Sequence, residues 1–177
     1  MESARRNTTQ EPSEANLVRL LDLWSADWKH RGRTRAVGPG LRRRERLRSR
    51  FPNGSWTSIA ALFNPRMGLH RDIQNMAGHL NHALALGDDT GGRVWIEDDD
   101  GDSTALGGRE LRGKWLDMHD KPVSVDARRY HMVEPHEGSM WALAAYVPQA
   151  YARASEQHRQ ALREAGFPLP LLEKGSV

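Results

Sequence analysis

Residues Leu80–Glu97 read Leu-Asn-His-Ala-Leu-Ala-Leu-Gly-Asp-Asp-Thr-Gly-Gly-Arg-Val-Trp-Ile-Glu. Two short apolar runs flank a turn rich in Gly and Asp, which predicts strand, turn, strand: Leu80–Leu86, then Gly87–Gly92, then Arg93–Glu97. The same texture recurs on both sides. Trp56–Phe63 reads as a buried strand ending in the turn Asn64–Gly68, and Asn75–Gly78 is a second turn. Further along, Pro122–Asp126 gives a short strand and Met140–Val147 a strong one. Many short strands separated by turn signals predict an all-β sandwich or barrel.

Helices are expected only at the two ends. Ser13 is a suitable cap, and Leu17, Leu20, Leu21, Trp24 and Trp28 recur at helical spacing, so an amphipathic packing helix is predicted from about Glu14 to Lys29. Pro148 opens a second helix, Gln149–Ala165, closed by Gly166 and Pro168. Asp98–Asp102 lacks the alternating ligands of a calcium loop and reads as a solvated hairpin tip. The Gly-rich residues 103–114 read as a mobile loop. The resulting division is a disordered start at 1–12, a helix and basic segment at 13–50, the β domain with its C-terminal helix at 51–166, and a tail at 167–177.

Mean hydropathy is -0.73 and 38% of residues are hydrophobic, so the core belongs to part of the chain only. There is no cysteine, which excludes disulfides, thiolate metal sites and cysteine nucleophiles. No apolar run is long enough to span a bilayer, and the first residues lack an apolar signal core. A soluble, intracellular protein without membrane contact is the expectation. The formal charge of +3 is unevenly spread. Lys29–Arg35 and Leu41–Arg50 are dense in arginine, ahead of an acidic middle. Residues 29–50 therefore offer a contact to nucleic-acid phosphates, or else a solvated helix face. No aromatic residue interleaves with these arginines to read bases. Phosphate-cradling glycine loops and a nucleophile elbow are both missing.

Candidate chemistry lies in Leu-His-Arg-Asp-Ile-Gln-Asn, Leu69–Asn75. His70 and Asp72 are two residues apart, a spacing that puts both side chains on one face of a strand. His131 stands far along the chain beside another apolar run. Two histidines and one carboxylate make the facial triad of non-haem Fe(II) oxygenases, which leaves coordination positions open.

The runs Leu-His-Arg-Asp-x-x-Asn and Ala-Leu-Gly-Asp-Asp-Thr-Gly-Gly-Arg-Val-Trp-Ile-Glu-Asp resemble the front half of a 2-oxoglutarate/Fe(II)-dependent dioxygenase domain. Pro122–Tyr146, Pro-Val-Ser-Val-Asp-Ala-Arg-Arg-Tyr-His-Met-Val-Glu-Pro-His-Glu-Gly-Ser-Met-Trp-Ala-Leu-Ala-Ala-Tyr, resembles its back half. The chain is similar in particular to the domains of this family in protist retroelement-type polyproteins, over about Ser55–Val147. The resemblance implies a double-stranded β-helix, or jelly-roll barrel. It implies His70, Asp72 and His131 as catalytic metal ligands, Fe(II) as the metal, and 2-oxoglutarate as co-substrate in the oxidation of a substrate it leaves open; the basic segment at 29–50 allows a nucleic acid or a protein without choosing between them.

One position departs from the family. After the step Gly138-Ser139, where the family carries an arginine that pairs with the far carboxylate of 2-oxoglutarate, this chain has Met140. Alternation turns Met140 inward with Ala142, Ala144 and Tyr146, leaving Tyr146 as the polar group on that face. Three readings stay open. Another cation substitutes, with Arg93 the first candidate and Arg128 or Arg129 behind it; the co-substrate differs; or the domain is a catalytically degenerate barrel acting as a nucleic-acid or protein binding module. Asn75 either hydrogen-bonds within the site or shapes its turn. His79 and His82 are expected on opposite faces of a strand in structural or solvent-facing roles. His136 is expected in an exposed turn, and His119 has acidic neighbours but no assigned part. Trp95 and Trp141 are expected as core or rim aromatics, and Tyr130 is expected to point away from the metal.

Overall fold

The computed structural model describes residues 14–25, 41–106, 110–119 and 121–171. The elements are α1 (Glu14–Ser25), α2 (Leu41–Arg50), β1 (Ser58–Phe63), β2 (Asn81–Gly87), β3 (Thr90–Gly91), β4 (Val94–Glu97), β5 (Ser103–Leu106), β6 (Glu110–Leu116), β7 (Val123–Val125), β8 (His131–Val133), β9 (His136–Glu137), β10 (Met140–Tyr146) and α3 (Glu156–Glu164). The chain is mainly β with helices at its two ends, as its pattern of short apolar runs predicts. One sheet has the order β1-β10-β2-β7, a second β5-β6-β4-β8, and β3 pairs with β9 in a short ribbon. Every pairing is antiparallel. The two sheets remain open and separate.

Period-2 alternation sorts the first sheet into two faces. Ile59, Ala61, Leu84, Leu86, Trp141, Leu143 and Ala145 turn outward and are buried beneath the helices. Leu17 and Leu21 of α1 and Leu47 of α2 cover them, together with Phe51 and Trp56. Each such leucine contributes roughly 1.5–3 kcal/mol by leaving water. Leu47 thus anchors the arginine-rich helix, and Arg48 and Arg50 stay exposed. Two polar ties fix α1. The Trp141 indole donates to Asp22 Oδ1 at 3.0 Å, and the Gly87 amide donates to Glu14 Oε1 at 3.2 Å. The opposite face of the sheet carries Ala60, Leu62, Ala83, Ala142 and Ala144. It looks across a cavity toward Val94, His131 and Val133 of the second sheet.

Three expectations need correction. Residues 103–114 are not a loop, because β5 and β6 form a hairpin there, with residues 107–109 outside the described set. Asp98–Asp102 is not a hairpin tip either. It carries the chain from one edge of β6 to the other, since Glu97 and Ser103 both pair with Gly113. A Cβ on Gly101 would collide with the Gly113 backbone, and one on Gly113 would collide with the Trp95 ring. These glycines are needed for close approach, which the sequence alone presents as looseness. The C-terminal helix comes in two pieces. A 3-10 turn, Gln149–Arg153, ends at Ala154, and α3 starts afresh where Ser155 Oγ accepts from the His158 amide. The stretch predicted as helix at 26–29 and the arginine-rich residues 29–40 lie outside the described residues. Among the described residues no helix is long and apolar enough to cross a membrane.

Candidate metal centre

The three sequence-predicted ligands come together. The possible ligand atoms of His70, Asp72 and His131 all lie within 4.8 Å of one another. His70 sits in an isolated bridge to His131, with His70 N to His131 O and His131 N to His70 O both 2.9 Å. This is a hydrogen-bonded antiparallel pair, so the two imidazoles leave the same face of one rung, and their ring centroids are 4.2 Å apart. Asp72 does not reach the site by strand alternation. The chain leaves the bridge at once and enters turns, and Asp72 is held by its amide donating to Ala127 O at 2.8 Å. Its Oδ1 lies 3.7 Å from His70 Nε2.

The same backbone device orients both rings. His70 Nδ1 lies 2.7 Å from Gly68 O, and His131 Nδ1 lies 3.0 Å from Arg129 O, each carbonyl two residues upstream. A carbonyl accepts only, so both Nδ1 atoms carry a proton, and in the neutral form of each ring the lone pair is on Nε2. Such an outer contact fixes the tautomer of a metal-ligating histidine. His70 Nε2 is buried without a hydrogen-bond partner. A buried nitrogen lone pair beside a carboxylate and a second imidazole is the donor set of a divalent transition metal, so these residues fit one, iron(II) included. His131 is 8% exposed, and burial, its largest influence, pushes its pKa below the ordinary histidine range. His70 beside it acts in the same direction, while the Arg129 carbonyl and Asp72 oppose it. The ring is therefore neutral at neutral pH, as a ligand must be.

Segment 70–76 is pinned from both sides. Arg128 Nη1 donates to Ile73 O and to Asn75 O, both at 2.7 Å. On the far side the Met76 amide donates to Val147 O, the Gln149 amide to Gln74 O and the Gln149 side chain to Ile73 O.

Asp72 and His131 open onto the cavity between the sheets, of about 110 Å³, whose walls are mostly alkyl groups. Its polar lining consists of Asp72, His131, Asn75, Asn81 and Tyr146. Asn75 is buried and donates from Nδ2 to Asn81 Oδ1 at 3.0 Å. Tyr146 lines the wall from β10, as alternation predicts. The sequence reading passed over Asn81. The signal for it was present, since the alternation that turns Ala83 inward also turns Asn81 inward.

The arginines proposed as substitutes for Met140 are elsewhere. Arg93 makes a two-pronged pair with Glu134, Nη2 to Oε1 at 2.6 Å and Nε to Oε2 at 2.9 Å, with its guanidinium over the Trp115 ring. It alternates with Val94, which faces the cavity, and so points outward. Arg129 pairs with Asp99 at 2.7 Å, and Arg128 is the loop clamp described above. No Lys or Arg is among the described residues lining the cavity. Met140 is fully buried and packs with Ala85, Val94 and Met118. Among the described residues lining the cavity there is no cation to meet the distal carboxylate of 2-oxoglutarate, so these residues do not fit it.

The remaining candidates are structural. Trp95 and Trp141 are fully buried. Tyr130 packs with Trp95 and Leu111 on the outer face of the second sheet, away from His131. His82 Nδ1 lies 2.8 Å from Ser124 Oγ, and its ring packs against Phe51 and Trp56. His119 stands between Asp89 and Glu14, at 3.6 and 3.7 Å. His136 lies in β9, and His79 lies outside any strand. No family model and no curated protein matches the chain.

Proposed function

We propose that the protein is a mononuclear non-haem iron oxygenase with a jelly-roll fold, in which His70, Asp72 and His131 hold the metal. The observation that carries this reading is the convergence of two imidazoles and one carboxylate at the mouth of a mostly apolar cavity between the sheets. The strand order supports the fold. Late strand β10 lies between early strands β1 and β2, and late strand β8 lies between early strand β4 and the His70 segment. This interleaving of front and back halves is what a jelly roll requires.

When bound, the iron supplies activation of dioxygen for oxidation of an organic substrate. The chain's own part is positional. The His70–His131 rung sets the two imidazoles, the Arg128 clamp holds Asp72 in reach, and the alanine and valine walls keep water from the reacting face. Anaerobic titration with Fe(II) tests the site directly. One ion per chain is expected, with none retained by Asp72→Ala. Oxygen uptake by the iron-loaded protein with an added substrate panel then tests turnover. Failure to take up iron overturns the reading.

A further inference from the structure

We infer that the cavity takes a small monocarboxylate with an uncharged tail, specifically a 2-oxo acid bearing an alkyl side chain, and rejects the dicarboxylate 2-oxoglutarate. This rests on the metal-site reading above.

Charge balance comes first. A divalent ion with Asp72 and two neutral imidazoles carries one net positive charge. One ligand carboxylate neutralises it. A second carboxylate would have to be buried further along the cavity, where the wall is Leu62, Ala83, Val94, Val123, Ala142 and Ala144. A buried anion without a partner is strongly disfavoured. Arg66, between the cavity-lining Pro65 and Met67, is turned to solvent and does not line the cavity, and four other guanidiniums near the site are engaged. Arg71 donates from Nε to Arg128 O at 2.5 Å, Arg93 is tied to Glu134, Arg128 to two loop carbonyls, and Arg129 to Asp99.

Shape and polarity agree with a monocarboxylate. A metal held by this triad would keep coordination positions open, and the carboxylate and keto oxygens of a 2-oxo acid would be suitable donors for them. The cavity of about 110 Å³ is smaller than the 150 Å³ apolar cavity known to admit benzene, so a short alkyl tail is the size that matches. Asn75 and Asn81 share one hydrogen bond, and an amide pair has more donors and acceptors than that bond uses. The rest can meet a keto or carboxylate oxygen without adding charge.

Met140→Arg would not restore an anchor. A Cβ built on Gly92 would lie 2.9 Å from Met140 Sδ and 3.1 Å from Asp89 Oδ2, which puts the Asp89 carboxylate close to the Met140 side chain. The Asp89 side chain is 1% exposed, and its Oδ1 has no hydrogen-bond partner. An arginine placed there would be neutralised by Asp89 before it could meet a ligand.

The test uses the full chain loaded anaerobically with Fe(II), with calorimetric titration of two probes that differ at the tail: 2-oxopentanoate and 2-oxoglutarate. Binding of 2-oxopentanoate on the order of 100-fold tighter is expected, from a penalty of a few kcal/mol for the extra buried charge. That binding should disappear in Ala144→Leu, which fills the cavity, while iron uptake by the same variant is unchanged. Equal or tighter binding of 2-oxoglutarate overturns the inference, and so does iron uptake without binding of 2-oxopentanoate. Should Ala144→Leu fail to fold, Ala83→Val serves as the milder filling and should weaken 2-oxopentanoate binding; unchanged binding overturns the inference. Absence of iron uptake by the unaltered chain overturns the metal site itself, and this inference with it.

Discussion

His70 and His131, sixty-one positions apart in the chain, exchange both backbone hydrogen bonds across one rung, each 2.9 Å. The two imidazoles are therefore placed by main chain, and the geometry survives loss of either ring. His70→Ala and Asp72→Ala are expected to weaken metal binding by on the order of 100-fold or more, since loss of a mere outer-shell contact already costs about 10–100-fold. Neither should disturb the fold. Co(II) absorption and far-UV circular dichroism on the same samples check both halves; a variant that loses metal only by unfolding contradicts the placement by backbone.

Arg128 carries a separate prediction. Its guanidinium holds the carbonyls of Ile73 and Asn75, and through them the turn that presents Asp72. Arg128→Ala removes two charge-assisted bonds, each worth about 1.5–3 kcal/mol when fully formed and less where water reaches them. Metal affinity is expected to fall by about 10–100-fold with the ligands themselves intact. Both bonds come from the single nitrogen Nη1, so Arg128→Lys, whose ammonium also carries several donors on one nitrogen, should restore part of the affinity wherever its chain reaches the two carbonyls. Isothermal titration of both variants with Co(II) distinguishes this from a purely structural loss, which would appear in unfolding midpoints alone.

Gly113 lies where the chain crosses β6, with the Trp95 ring on one side and Gly101 against its backbone. Gly113→Ala is expected to destabilise by about 1–3 kcal/mol through overpacking, read from urea midpoints. An exposed loop residue, which the sequence pattern suggested here, would give a change within about 0.5 kcal/mol.

That contrast shows where the sequence is legible. Strand alternation carries its own geometry, so Met140–Tyr146 and the inward face of β2 could be read directly, Asn81 included. The three clustered candidates were legible because His-x-Asp is a local pattern and His131 adjoins an apolar run. Gly113 was misread because a glycine signals freedom or close approach alike, and only the neighbouring chain decides between them. Asp72 does lie beside the two histidines, but not by the strand alternation that the sequence suggests. Its position depends on Ala127 and Arg128, fifty-five or more residues away, which no local period encodes.

Arg93 illustrates the same limit at a charged position. Its sequence neighbours, Gly92 and Val94, are both buried, but its own side chain is 48% exposed and paired with Glu134. Arg93→Ala is expected to leave metal and ligand binding unchanged. It should change stability little, as the loss of a solvent-exposed ion pair does. Differential scanning calorimetry and the titrations above check this; a selective loss of ligand binding would return Arg93 to the site.

His82 sets an acid limit to stability. Burial pushes its pKa below the ordinary value of 6.5, so the folded state holds the ring neutral while the unfolded chain takes up a proton there. The unfolded state then binds more protons, and stability rises with pH in that range. The contribution is complete above about pH 6.5 and is lost as pH falls through the depressed folded value. His131 is depressed in the same direction and adds to the effect in the metal-free protein. The lowered carboxylate of Glu134 titrates below its ordinary 4.5, outside this window. His82→Gln keeps a partner for Ser124 Oγ and removes the titration. Urea midpoints of the metal-free protein should fall between about pH 7.5 and 5.5, and fall less in His82→Gln. Addition of Co(II) should flatten the remaining slope, because a metal-bound His131 no longer accepts the proton.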